Sequence, residues 1–245
     1  MNNNIQDRLS EFKGKVKDAD AQDVIRLAFE QFGSRVSFAS SLGEEDQVIT
    51  DMIAKAAPGI EIFTLDTGRL HQETYDLLAK NQKRYRLRFK TYFPDPKAVE
   101  DMVAKKGINL FYESIENRKL CCRIRKVEPL RRALADMDAW MTGLRRAQSS
   151  DRGQTDVVEW DADHQKIKVN PLAFWSLEDV RRYIAENKVD INELHSKGFV
   201  SIGCAPCTRA IKPGEDIRAG RWWWEDAQKK ECGLHNNPHR PKAGS

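Results

Sequence analysis

Five cysteines carry the most specific chemistry in this chain of 245 residues. Cys121 and Cys122 are adjacent, Cys204 and Cys207 form a C-x-x-C pair, and Cys232 stands alone. If folding brings the first four together they make a four-thiolate set, and tetrahedral sulfur coordination suits zinc or an iron–sulfur cluster. Zinc ribbons use two C-x-x-C knuckles, which an adjacent pair does not supply. A cluster instead offers separate irons to neighbouring thiolates. The competing reading is a pair of core thiols at the start of a helix plus a redox dithiol. Against it, Cys204-Ala205-Pro206-Cys207 does not follow the first strand of a thioredoxin-like pattern, and bridging adjacent cysteines strains the backbone. Spacing alone leaves zinc and iron–sulfur both open. Cys232 lies in Glu231-Cys232-Gly233-Leu234-His235, with Lys229 and Lys230 beside it. Cationic neighbours raise the thiolate fraction, so Cys232 is a candidate nucleophile, with an incidental surface thiol as the alternative.

The elements that must position these thiols alternate between two periods. Asp20 caps a helix that runs to Phe32 and ends at Gly33, and Val36 to Ala39 reads as a short buried strand. The small-residue turn Ser40 to Asp46 leads into a helix stopped by Pro58-Gly59. Strands are expected at Ile60–Leu65, Arg86–Tyr92 and Ala139–Thr142, and helices at Leu70–Lys80, Ala98–Lys105 and Leu120–Leu134. This alternation argues for an α/β fold, a parallel twisted sheet with helices on both faces. Its ligand sites lie beyond the carboxyl ends of the strands. Gly143 to Thr155 reads as a polar loop, Val157–Trp160 and Ile167–Val169 as a hairpin, and Ser176 with Asp179 as a capping box for a helix through Asn187. The Trp222-Trp223-Trp224 run reads as a bulky buried patch rather than a stacking surface. His164 and His195 read as surface or helix residues, and His71 as a polar residue at a helix N-terminus.

The 41 Lys and Arg against 37 Asp and Glu give a net charge of +4, too small for a duplex-wrapping protein but compatible with local basic clusters for a small anion. No run approaches the roughly 18 apolar residues of a membrane span. The first residues lack a secretion signal's basic flank and apolar run. A cytoplasmic, reducing location is therefore expected, where an odd number of cysteines does not form a disulfide framework.

Seven blocks in order then point to one family: Ser41-Leu42-Gly43-Glu44-Glu45-Asp46, Leu65-Asp66-Thr67-Gly68-Arg69, Cys121-Cys122-Arg123-Ile124-Arg125-Lys126, Gly143-Leu144-Arg145-Arg146-Ala147-Gln148-Ser149, Ser201-Ile202-Gly203-Cys204-Ala205-Pro206-Cys207-Thr208-Arg209, Gly220-Arg221-Trp222-Trp223-Trp224-Glu225 and Glu231-Cys232-Gly233-Leu234-His235. The chain resembles the assimilatory sulfonucleotide reductases, on the branch that uses adenylyl sulfate (APS). The resemblance implies an adenine-nucleotide alpha-hydrolase-like fold related to the ATP pyrophosphatases. It implies a 4Fe-4S cluster on Cys121, Cys122, Cys204 and Cys207, and Cys232 as catalytic nucleophile. It also implies thioredoxin as electron donor, a homo-oligomer, and a place in sulfate assimilation and cysteine biosynthesis. Relatives that use the 3′-phosphorylated substrate (PAPS) typically lack the four cluster cysteines, so their presence favours APS. Two positions depart from the family pattern: Ala147 where an acidic residue is common, and Arg118 where some relatives carry His.

On this reading 1–245 is one α/β domain, with an N-terminal helical segment over 1–19, a nucleotide- and cluster-binding core over 20–224, and a mobile C-terminal segment over 225–245 carrying the nucleophile. The substrate and the attacking thiolate are both anionic. Two like charges about 4 Å apart repel by about 4 kcal/mol at an effective dielectric of about 20, so cations are required. Lys126, Arg152, Arg218 and Arg221 are the candidates, and Lys126 can lie between cluster and sulfate. The turn with Ser41, Gly43 and Asp46 can offer backbone N–H groups and a helix N-terminus to an anion. With Leu42 in place of a glycine, and Glu44 and Glu45 adjacent, it suits triphosphate and magnesium less well than one phosphosulfate. Leu65, Asp66, Thr67 and Gly68 can meet the adenine edge, and Gly143 and His235 complete the expected substrate contacts. No flavin or nicotinamide motif is found. The alternatives are PAPS reduction by the same mechanism, a cluster-bearing tRNA-thiolating enzyme, and a redox sensor that binds nucleic acid; the modest charge and the lack of a basic stripe or helix-turn-helix disfavour the last two.

Overall fold

A computed structural model describes residues 3–148 and 153–225. Arg152, Cys232, His235 and the expected mobile segment beyond 225 lie outside the described residues. Six strands form one sheet in the order β3-β2-β1-β4-β6-β5. They are β1 (Val36–Ala39), β2 (Glu61–Leu65), β3 (Phe89–Tyr92), β4 (Ala139–Met141), β5 (Val158–Asp161) and β6 (Lys166–Val169). Every neighbouring pair is parallel except β5–β6, an antiparallel hairpin at one edge. Strand order therefore reverses between β1 and β4, and an open sheet of this kind receives ligands at such a switch point.

Among the described residues eight α-helices connect or flank the strands: α1 (Asn3–Lys15), α2 (Ala21–Phe32), α3 (Glu44–Ala56), α4 (Gln72–Tyr85), α5 (Pro96–Lys106), α6 (Ile115–Cys122), α7 (Glu128–Leu134) and α8 (Leu177–Asn187). Alternation along the strands sends side chains to two cores. Phe38, Ile62 and Met141 join α2 and α3 on one face, while Phe63 and Trp140 meet Leu130 and Leu134 of α7 on the other. Local signals set the helix ends: Asp20 accepts from Asp23 N, Gly33 closes α2 at φ +55°, and Ser176 with Asp179 forms the expected capping box.

Three boundaries differ from the sequence reading by more than two residues. Residues 86–88 stay outside β3 because Arg86 takes the left-handed conformation that ends α4. Helix α4 runs on to Tyr85, where its Oη donates to Asp51 of α3. The helix expected from Leu120 begins at Ile115, after Ser114 caps it by accepting from Asn117 N, and it is not uniform. Arg123–Val127 is a π turn, with Glu128 N bonded to Arg123 O. Pro129, in the first turn of α7, has no N–H for the Arg125 carbonyl, and the widened turn accommodates its ring. No helix among the described residues is long and apolar enough to cross a membrane.

Candidate active site

Beyond the carboxyl ends of β1, β2 and β4 lies a cleft of about 210 Å³, lined by Ser40, Ser41, Glu45, Asp46, Leu65, Lys126, Thr142, Gly143, Gln148 and Gly203 among others. The turn after β1 is held open as a backbone cradle. Leu42 sits there at φ +63°, a left-handed conformation that glycine takes without penalty and that costs another residue about 1–3 kcal/mol. Its side chain is buried, and Asp46 braces the turn by accepting from both Ser41 N and Ser41 Oγ at 2.6 Å. On the opposite wall, Arg145 Nε and Nη2 and Gln148 Nε2 all donate to Glu45 Oε1, at 3.0, 2.7 and 2.9 Å.

A third core adjoins this cleft. Cys121, Cys207 and Trp222 are buried in it with Met102, Leu110 and Phe111, and Cys204 packs against it. All four cysteines of the two pairs are free thiols. Cys121 and half-buried Cys122 close α6, and the short turn Ala205–Cys207 carries the C-x-x-C pair. The two pairs meet: burial pushes the Cys207 thiol up to about 12, Cys204 and Cys121 add to the rise, and Arg221 and Lys126 oppose it. Burial likewise raises Cys121, against the pull of Arg125. Among the described residues no three His, Cys, Asp or Glu side chains converge as the ligands of one metal ion.

Two contacts tie the thiol core to the turn after β2, and one residue joins it to the cleft. Thr67 Oγ1 lies 3.2 Å from Cys204 Sγ, Ala205 N donates to Arg69 O, and Lys126 lines the cleft while acting on Cys207. Arg118 Nε and Nη2 donate to the two Glu225 carboxylate oxygens at 2.9 and 2.7 Å, with side chains 1% and 4% exposed. Trp222 is sandwiched between the Arg118 and Arg221 guanidiniums, 4.6 and 4.7 Å from its ring centre. Arg221 is itself buried and pairs with no carboxylate among the described residues; its Nε has no partner and its Nη1 reaches only Ser201 Oγ, at 3.5 Å.

The expected residues fall into groups. Ser41, Asp46, Leu65, Lys126 and Gly143 line the cleft, and Gly43 caps α3 beside it. Arg221 packs against Gly203, where a Cβ would meet its Nη2 at 2.4 Å, so it abuts the cleft wall. Arg218 does not line the cleft; its backbone N–H donates to Asp216 on a surface turn. Asp66, Thr67 and Gly68 point elsewhere than the cleft: Asp66 accepts from Gly68 N and Tyr75 Oη beside a second cavity, and Thr67 faces Cys204. His164 is not a surface residue, since its side chain is 8% exposed and bound to Asp161 in the β5–β6 hairpin. His195 is half-buried, its Nδ1 bound to Phe199 O. The Trp run divides: Trp222 is buried, Trp223 is 40% exposed. The sequence reading names Glu45 only as a charge in the turn and Arg118 only as a departure from the family pattern; their partners Arg145, Gln148 and Glu225, and Arg125, carry no local signal.

Residues 35–210 match the phosphoadenosine phosphosulfate reductase domain family. The chain is 48% identical over 229 residues, 94% of its length, to "Adenosine 5′-phosphosulfate reductase" of Allochromatium vinosum, covering 89% of that protein. A crystal structure of phosphoadenylyl-sulfate (PAPS) reductase from Candida auris, in a phosphate complex, superposes with a TM-score of 0.71 at 30% identity, over 82% of this chain and 96% of that one. Yeast FAD synthetase, at 13% identity and TM-score 0.53 over 84% of this chain and 75% of that one, shares the adenine-nucleotide alpha-hydrolase-like fold alone.

Proposed function

The chain belongs to the phosphoadenosine phosphosulfate reductase domain family, and from that premise we propose that it reduces adenosine 5′-phosphosulfate to sulfite and AMP. The observation that carries this reading is the shared wall between cleft and thiols. Lys126 serves both, Gly203 lines the cleft one residue before Cys204, and Arg221 backs Gly203 with a guanidinium bound to no carboxylate among the described residues. An anionic sulfonate placed there is neutralised by two cations, and like-charge repulsion toward a thiolate falls accordingly.

In the reaction we infer, the Cys232 thiolate attacks the sulfate sulfur. An S–S bond forms, the S–O bond to the phosphate breaks, and AMP leaves with the electron pair, giving S-sulfocysteine. A thiolate of a dithiol donor, thioredoxin on the family's pattern, then attacks the Cys232 sulfur. Sulfite departs, and the donor's second thiol resolves the mixed disulfide. The donor dithiol is oxidised by two electrons as sulfur passes from the sulfate to the sulfite level. Such a donor requires a reducing compartment, in keeping with a cytoplasmic enzyme.

The four paired cysteines fit the 4Fe-4S cluster that the family implies. Buried thiols clustered this closely resist ionisation, as Cys207 shows, unless a strong positive centre compensates. A cube takes each thiolate on a separate iron, which suits the adjacent Cys121-Cys122 pair. Cys121, Cys122, Cys204 and Cys207 would hold it; four thiolates outweigh the charge of its iron–sulfide core, so Lys126 and Arg221 would supply the positive charge beside the sulfonate position. Sulfite release from APS and from PAPS with reduced thioredoxin tests the proposal. Turnover of APS is expected; turnover of PAPS alone would reassign the substrate, and turnover of neither would overturn the reading.

A further inference from the structure

We propose that Glu45 is a positioning residue for substrate: it latches the 143–148 loop to the start of α3 and so sets one wall of the nucleotide cleft. The inference rests on the functional reading above and adds a residue to which the family resemblance gives no role. A single carboxylate oxygen, Glu45 Oε1, accepts three side-chain hydrogen bonds, two from Arg145 and one from Gln148. Both donors belong to a loop about one hundred positions away in the chain. The loop is tied to itself as well, because Arg145 N donates to Gln148 Oε1 and Gln148 Nε2 reaches Gly143 O. Arg145 is buried, and its Nη1 donates onward to Trp175 O. Charge-assisted hydrogen bonds of this kind are short and strong, and one oxygen shared by three donors fixes their relative position.

Glu45 and Asp46 divide the labour at the switch point. Asp46 braces the turn after β1, and Glu45 braces the loop after β4, so neighbouring carboxylates on one helical turn hold the two walls. The fit between these walls is close enough that a Cβ on Gly143 would sit 2.2 Å from Asp46 Oδ1 and 3.0 Å from Glu45 Cβ. The pairing also fixes the electrostatics. An unpaired Glu45 carboxylate in the lining would repel a phosphosulfate, and Arg145 neutralises it. Charge on this wall is balanced within the protein, and Lys126 and Arg221 lie on the thiol side.

The experiment uses the full-length protein and compares Glu45→Gln, Arg145→Gln and the double variant, with AMP binding by calorimetry and steady-state kinetics on APS. Each single variant is expected to raise the AMP Kd and the APS KM by about tenfold, the scale of one lost hydrogen bond to a charged group, with kcat falling less than KM rises. The double variant is expected to be no worse than either single one, because both act through one contact. It strands no buried charge, so it supplies the measurement even if a single variant fails to fold. An unchanged AMP Kd in folded Glu45→Gln, or additive losses in the double variant, would overturn the latch. Wild-type protein that binds neither AMP nor APS would overturn the functional reading and the latch with it, a failure visible before any variant is made.

Discussion

At the nucleotide end of the site the acidic side chains are already engaged: Asp46 holds Ser41, and Glu45 holds Arg145 and Gln148. Across the shared wall the balance is different. Arg125 Nε, Arg221 Nε and Trp222 Nε1 are buried without partners among the described residues, beside four free thiols. Buried polar atoms are ordinarily satisfied, and each exception costs about 1–3 kcal/mol. One end is thus shaped in advance of its ligand, as electrostatic preorganisation requires. The other holds buried polar groups whose cost a bound ligand would offset.

Substitutions at each end should separate these two properties. The largest effect is expected from Cys232→Ser, which should abolish sulfite formation while leaving AMP binding and metal content intact. Lost metal would make Cys232 a ligand and blur the division. Next, Cys204→Ala should strip most of the bound iron and sulfide, measured chemically, while the cleft still binds AMP. Iron that stays would refute the four-thiolate site. Breaking the buried Arg118–Glu225 pair from one side, by Arg118→Met or Glu225→Gln, should cost about 3–5 kcal/mol by denaturant unfolding, and replacing both partners with apolar groups should cost less. Smaller still, Gly143→Ala should destabilise by about 1–3 kcal/mol and weaken AMP binding, since its Cβ must displace Asp46. Equal weakening of metal retention would show that the two ends are not separable.

The smallest effect belongs to neither end and serves as a control. At the amino end of β4, the Arg35 hydrogen bond, helped by Arg8 and against a burial cost, holds the Asp138 carboxyl below its usual range. A depressed folded pKa stabilises above the unfolded value and is lost as pH falls through it. The Tm gap between wild type and Asp138→Asn should therefore narrow as pH drops below about 4, with AMP affinity at neutral pH unaffected.

What the sequence makes legible is local. Caps such as Asp20 and Ser176 state where helices start, and the alternation of strand and helix gives the sheet and its ligand-binding edge. The cysteine pairs announce themselves by type and spacing, Lys126 by the family block it stands in, and the fold does bring Cys121, Cys204 and Cys207 together. What stays hidden depends on distance in the chain. Nothing near Glu45 foretells Arg145, and nothing near Arg118 foretells Glu225, because ion pairs between remote loops leave no periodic trace. The turn at Thr67 offers its groups to either a base or a thiol, and only the folded chain decides for Cys204.

The π turn at Arg123–Val127 carries a last consequence. Removing one residue there would restore α spacing and turn the residues within it relative to the cysteine pair, while α7 keeps its place. Lys126 would leave the cleft, and Arg125 would lose its hold on the Thr67 carbonyl. A lineage could therefore forfeit this sulfur chemistry through a single deleted codon while keeping every strand of its scaffold.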